Sequence, residues 1–166
     1  MTNLILIIAA IALAVLSLVG LGCKFINQKT TIAGYSATAE WNLQDWFTNI
    51  KDLKSLGDDV THWEIARICL FVLIGALVVT LAVTLIAKLL CKKSAVLRWV
   101  SLGLSIVTMA CAVTFMVLTL VGCHGLSYEV QLLATKVEYI ANVGFYLFSI
   151  GAFLSCALTA VVAVRK

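Results

Sequence analysis

The sequence predicts an all-α integral membrane protein: a four-transmembrane-helix bundle with a short extracellular helix in its first outer loop. Three observations carry that prediction. Of the 166 residues, 63% are hydrophobic and 12% charged, with a mean hydropathy of +1.09, whereas soluble domains are roughly half apolar. Four apolar runs contain no Asp, Glu, Lys, Arg or His, and each is long enough to cross roughly 30 Å of hydrocarbon at about 1.5 Å per residue. The chain has no proline, so no span need lose a backbone donor that lipid cannot replace. The length suits one membrane domain over residues 1–166.

The first run is Leu4 to Cys23, within a helix over about 4–25. No Lys or Arg precedes it and it is long for a signal-peptide core, so it reads as a retained span. The other runs are Ile68–Ala87, Trp99–Cys123 and Tyr139–Val164. They predict helices over about 65–90, 96–123 and 128–164, with outer loops at 26–64 and 124–127. Basic residues set the orientation. Lys88, Lys92, Lys93 and Arg98 fall in the turn between the second and third spans, and Arg165 and Lys166 at the C-terminus, with no acid among them. The other side holds six basic residues and all eight acids. Both termini are therefore expected to be cytoplasmic, with the plasma membrane as the location.

The long polar segment Ile26–Glu64 holds three of the four tryptophans. Within it, Leu43, Trp46, Phe47, Ile50 and Leu53 recur at helical spacing. The pattern predicts an amphipathic helix from about Thr38, as N-cap, to Leu56, ended by Gly57. Its apolar face, with Trp41 beside it, is the expected partner contact: Trp41, Trp46, Phe47, Ile50 and Leu53. Folding back onto the bundle or lying on lipid headgroups are the competing readings. Thr61-x-x-Glu64 reads as a capping box opening the second span. Ser127, Val130, Leu133, Val137 and Ile140 suggest that the fourth helix starts well outside the bilayer.

Cys23 and Cys123 both fall at the outer edge and could form a disulfide; two unpaired small apolar residues are the alternative. Cys91, beside Lys92 and Lys93, matches a palmitoylation pattern. His62, His124, Cys23 and Cys123 are ligand types without CxxC or HxxxH spacing, so neither metal nor cofactor is expected. Spans lacking ionisable groups disfavour an ion-coupled transporter. What recurs there instead is small and polar: Ala76, Thr80 and Thr84; Ser101 and Ser105; Gly151, Ser155 and Thr159. Fourfold spacing of such residues predicts close helix packing.

Termini inside, a larger first outer loop, a short basic inner turn and a short second outer loop make the plan resemble the claudin/PMP22-type four-transmembrane proteins. That family's first loop usually carries a tryptophan followed by Gly-Leu-Trp and two cysteines, and the resemblance implies a disulfide-pinned extracellular sheet. Here Trp41 and Trp46 stand without the cysteines or the Gly-Leu-Trp, and the spacing of Leu43 to Leu53 predicts helix where that family has sheet. The functional expectation is a non-enzymatic protein of structural, adhesion-type or accessory-subunit character. It would contact membrane lipid and act as a homo-oligomer or with other membrane-protein subunits; nothing suggests nucleic acid. An oligomeric pore-forming channel subunit and a small stabilising subunit of an organellar energy-converting complex are the alternatives.

Overall fold

A computed structural model describes residues 2–90, 94–130 and 134–165. Its elements in order are α1 (Thr2–Leu21), β1 (Ile26–Ile32), β2 (Tyr35–Trp41), α2 (Leu43–Ser55), α3 (Thr61–Leu85), α4 (Ala95–Leu126), β3 (Tyr128–Val130), β4 (Thr135–Ala141) and α5 (Val143–Val164). A π-helical turn, Ile86–Leu90, extends α3. Among the described residues, α1, α3, α4 and α5 are long and apolar enough to cross a membrane.

Lipid is as apolar as a leucine, so these helices need close packing and hydrogen bonds to stay together. The α1–α5 contact is built on glycines. A Cβ on Gly20 would lie 2.7 Å from the Phe148 nitrogen, and one on Gly144 would lie 2.6 Å from the carbonyls of Gly20 and Lys24. A side chain at either position would force the two backbones apart. With them close, Ser17 Oγ donates to the Phe148 carbonyl and Ser155 Oγ to that of Ala10, both at 2.8 Å. At the end of the bundle away from the sheet, α3, α4 and α5 are joined by hydroxyl pairs: Thr80–Thr108 at 3.0 Å, Thr84–Ser101 at 2.6 Å and Ser105–Thr159 at 2.8 Å.

The chain is not all-α. Its two loop segments pair with each other in a four-stranded antiparallel sheet of order β2-β1-β4-β3. The central pairing, Ile26 with Ala141 through Ile32 with Thr135, joins residues more than a hundred positions apart. The turn Ala33-Gly34 has positive φ at both residues, 49° and 87°, the backbone of a tight two-residue hairpin whose twist matches that of the strands. Three further backbone bonds tie the sheet to the spans: Phe25 N–H to the Trp41 carbonyl (2.7 Å), Asn142 N–H to that of Phe25 (2.9 Å) and Gly144 N–H to that of Lys24 (2.9 Å).

This sheet corrects three expected boundaries. Residues 38–41 are strand, and the amphipathic helix begins after Asn42, not Thr38. Asn42 and Asp45 exchange side-chain-to-backbone hydrogen bonds of 2.9 and 3.1 Å in a reciprocal capping box, which satisfies donors that a helix start leaves open. Gly57, at φ 93°, follows its end. Thr61 and Glu64 form no capping box: Val60 is the N-cap of α3, without a side-chain bond, and Asp59 accepts from the Thr61 N–H at 3.1 Å. The fourth spanning helix starts at Val143 rather than about 128, because β4 occupies 135–141.

Candidate functional site

The sheet and α2 cover one end of the bundle, and aromatic side chains fill the space beneath. Strand alternation turns Gln28, Trp41, Val137, Tyr139 and Ala141 to one face of the sheet; Trp41, Val137, Tyr139 and Ala141 are buried there. Trp63, from the first turn of α3, stacks edge-on against Tyr139 (5.4 Å between centroids), Trp46 (6.1 Å) and Trp41 (6.2 Å). Its Nε1–H donates to the Thr119 carbonyl at 3.2 Å. Gly122 makes room for this ring, since any side chain there would overlap the indole. Phe25 continues the cluster to Trp46 (5.4 Å), Phe145 (5.8 Å) and Phe115 (6.3 Å).

The expected contact stripe is part of this floor. Trp46 is 0% exposed, Ile50 1% and Trp41 7%, while Phe47 and Leu53 are half-buried against the same cluster. Of the three readings of the stripe, the structure adopts folding back. The Trp46 Nε1–H is buried with no hydrogen-bond partner among the described residues, so its indole contributes packing alone. In the spans, Thr80, Thr84, Gly151, Ser155 and Thr159 are buried at helix contacts and Ala76 is half-buried. Of the two possibilities for Cys23 and Cys123, the structure has the unpaired one: both are free thiols. Cys91 lies outside the described residues. His62 and His124 are exposed, and among the described residues no three His, Cys, Asp or Glu side chains converge.

What the cap presents outward is polar. The register places Lys29 beside Thr38 and Glu138, and Thr31 beside Ser36 and Lys136, on the face away from the aromatic cluster. Lys136 and Glu138 form an ion pair of 2.7 Å. That hydrogen bond is the main cause holding the Glu138 carboxyl below, and the Lys136 ammonium above, their ordinary pKa; the nearby Lys29 charge adds to the first. Burial pushes the Tyr139 phenol up to about 12. Asp59 is held low by its hydrogen bonds from Thr61. Lys54 and Glu64 pair at 2.8 Å across the α2–α3 turn, and Lys24 lies 3.8 Å from Glu40.

Large apolar side chains also escape burial on the cap. Tyr35 is 85% exposed, Ile32 54% and Leu56 79%. The first two flank the β1–β2 turn, on the outermost strand pair. Sequence reasoning missed them because the segment read as featureless loop; the available signal was Ala33-Gly34 between two short runs rich in Thr, Ala and β-branched residues. Shallow grooves border the cap. One of about 520 Å³ runs along β3, β4 and the end of α4, past His124 and Lys136. Another of about 440 Å³ lies between α2 and α3. In comparisons with family models, curated proteins and solved structures, the chain matches none.

Proposed function

We propose that this chain is a non-enzymatic multipass membrane protein of structural or adhesion type, on the plan of the claudin/PMP22-type proteins. Its termini would be cytoplasmic, its cap outside the plasma membrane, and its first outer loop the surface through which copies of the chain associate. The observation that carries the reading is the β1–β2 hairpin. Its tip holds Ile32 and Tyr35 largely exposed, and β2 is an edge strand of seven residues. An edge strand offers unpaired backbone groups to a further strand, and an exposed tyrosine is the residue type that interfaces favour. The proposed contact thus shifts within the loop, from the α2 stripe to the hairpin.

The test is the mass of the purified protein in mild detergent, by light scattering after size-exclusion chromatography. The parent chain is expected to run as an oligomer. Ile32→Ser with Tyr35→Ser, at positions outside the core, is expected to reduce it to a folded monomer. A parent chain that is monomeric at every concentration, or a hairpin variant that stays oligomeric, rejects the reading.

A further inference from the structure

We infer that the groove between α2 and the cap end of α3 binds the phosphate-bearing headgroup of an anionic phospholipid from the leaflet on the sheet side. The groove, of about 440 Å³, is lined by Phe47, Thr48 and Lys51 of α2 and by Arg67, Ile68 and Phe71 of α3, with Gln44 at its margin. Two cations and no carboxylate line it. Among the described residues neither Lys51 nor Arg67 has an ion-pair partner; of the other cap lysines, Lys24, Lys54 and Lys136 each have one, and Lys29, on the outward face of the sheet, has none.

The nearby acids are directed elsewhere. Asp45 accepts from the Asn42 backbone in the helix cap, and Glu64 is bound at both oxygens by Lys54, at 2.8 and 3.0 Å. Asp52 follows Lys51 but is turned about 100° around the helix from it. The Arg67 guanidinium carbon lies 6.0 Å from the centroid of the Phe47 ring, near the outer limit of a cation–π contact; this orients the charge while leaving its N–H donors open.

Below the two cations the lining turns apolar and faces lipid. Ile68 is 61% and Phe71 60% exposed, and both belong to the spanning helix Thr61–Lys88. Cations above and exposed apolar side chains below follow the order of a phospholipid from headgroup to acyl chain, while the Thr48 hydroxyl donates to the Gln44 carbonyl at 3.1 Å. A free phosphate would use only the upper half, so the continuous lining selects the lipid. Arginine suits phosphate because its planar fork presents paired donors.

The experiment is native mass spectrometry of the full chain released from detergent micelles, titrated with short-chain phosphatidylglycerol, short-chain phosphatidylcholine or inorganic phosphate. The inference predicts one phosphatidylglycerol adduct at low lipid, with phosphatidylcholine much weaker. Lys51→Ala with Arg67→Ala should weaken it about thirty-fold, about five-fold for each cation near a membrane surface. The single change Lys51→Ala, at an exposed side chain, gives the five-fold step if the double variant folds poorly. Lys24→Ala with Lys29→Ala removes the same charge from the α1–β1 connection and the sheet and should leave the adduct unchanged. Equal loss in that control would reduce the effect to general surface charge and overturn the site. So would equal binding of phosphatidylcholine. Full competition by millimolar inorganic phosphate would make it a phosphate site rather than a lipid site, and would also overturn the inference.

Discussion

The two ends of this molecule are held together by different chemistry. Under the sheet, Trp41, Trp46, Trp63, Phe25 and Tyr139 pack ring against ring. At the opposite end, Thr80, Thr84, Ser101, Ser105, Thr108 and Thr159 pair hydroxyl to hydroxyl. The difference follows the solvent. The cap emerges into water, where burying a large aromatic surface is the strongest available driving force. Inside hydrocarbon that force vanishes between helices, and small residues that allow backbones to approach take its place. Hydroxyls engaged with one another inside a single chain also leave few polar groups in the spans to line a path between subunits.

Five substitutions separate the two chemistries. The largest effect is expected at the centre of the cap, where Trp63→Ala should cost about 3–5 kcal/mol, read from reversible unfolding in mixed micelles. A cost below that of a surface change would show that the aromatic cluster does not hold the cap. Next comes a comparison of two buried indoles. Trp63 has a hydrogen bond to the Thr119 carbonyl and Trp46 has none, so Trp63→Phe should be more destabilising than Trp46→Phe by about 1 kcal/mol. The reverse order would mean that the Trp46 N–H is satisfied.

In the hydroxyl region, Thr80→Val should cost about 0.6 kcal/mol, the usual worth of a polar contact between membrane helices. The loss is small because the partner, Thr108, keeps its bond to the Leu104 carbonyl at 2.8 Å. A cost as large as that of Trp63→Ala would erase the distinction between the two ends.

The smallest effect is on the outward face of the sheet. Glu138 has its pKa lowered by Lys136, so its contribution is present above the ordinary carboxylate pKa and is lost as pH falls through the lowered value. Lys136 has its pKa raised by the same partner, so its share is present below the ordinary lysine pKa and is lost as pH rises past the raised one. Melting temperatures of Glu138→Gln and the parent should therefore differ slightly at neutral pH and converge in acid. A gap that persists at low pH would assign it to something other than this pair.

The spans are legible in the sequence because lipid imposes one requirement on every residue that faces it, and Leu4–Cys23 and its three counterparts meet it without a charge. The stripe Leu43–Leu53 is legible as helix for the same periodic reason. The strands were hidden because their partners are remote. Ile26 pairs with Ala141, and nothing local to either residue announces the other. Thr135 to Ala141 alternates Val137, Tyr139 and Ala141 inward with Lys136 and Glu138 outward, yet Val137 and Ile140 also satisfy a helical spacing, and that competing period obscured the alternation. Asn42 is hard to read as the cap because Thr38 offers an earlier start four residues upstream. Cys23 and Cys123 both lie near the edge of the spans, but proximity to one boundary does not bring two thiols together, and both are free.

The two loops form one sheet, which sends the α2 stripe into the core and leaves the hairpin tip exposed. Cysteine cross-linking of Lys29→Cys with Glu138→Cys tests it most directly, since these residues face each other across β1 and β4 and paired strand positions place their Cα atoms about 4.5–5.5 Å apart, within disulfide range. Lys29→Cys with Thr38→Cys, paired across the local hairpin, serves as the positive control. Mild oxidant should link both pairs within single chains, identified by mass spectrometry of the joined peptides. Linkage of the hairpin pair with no link between positions 29 and 138 would contradict the shared sheet.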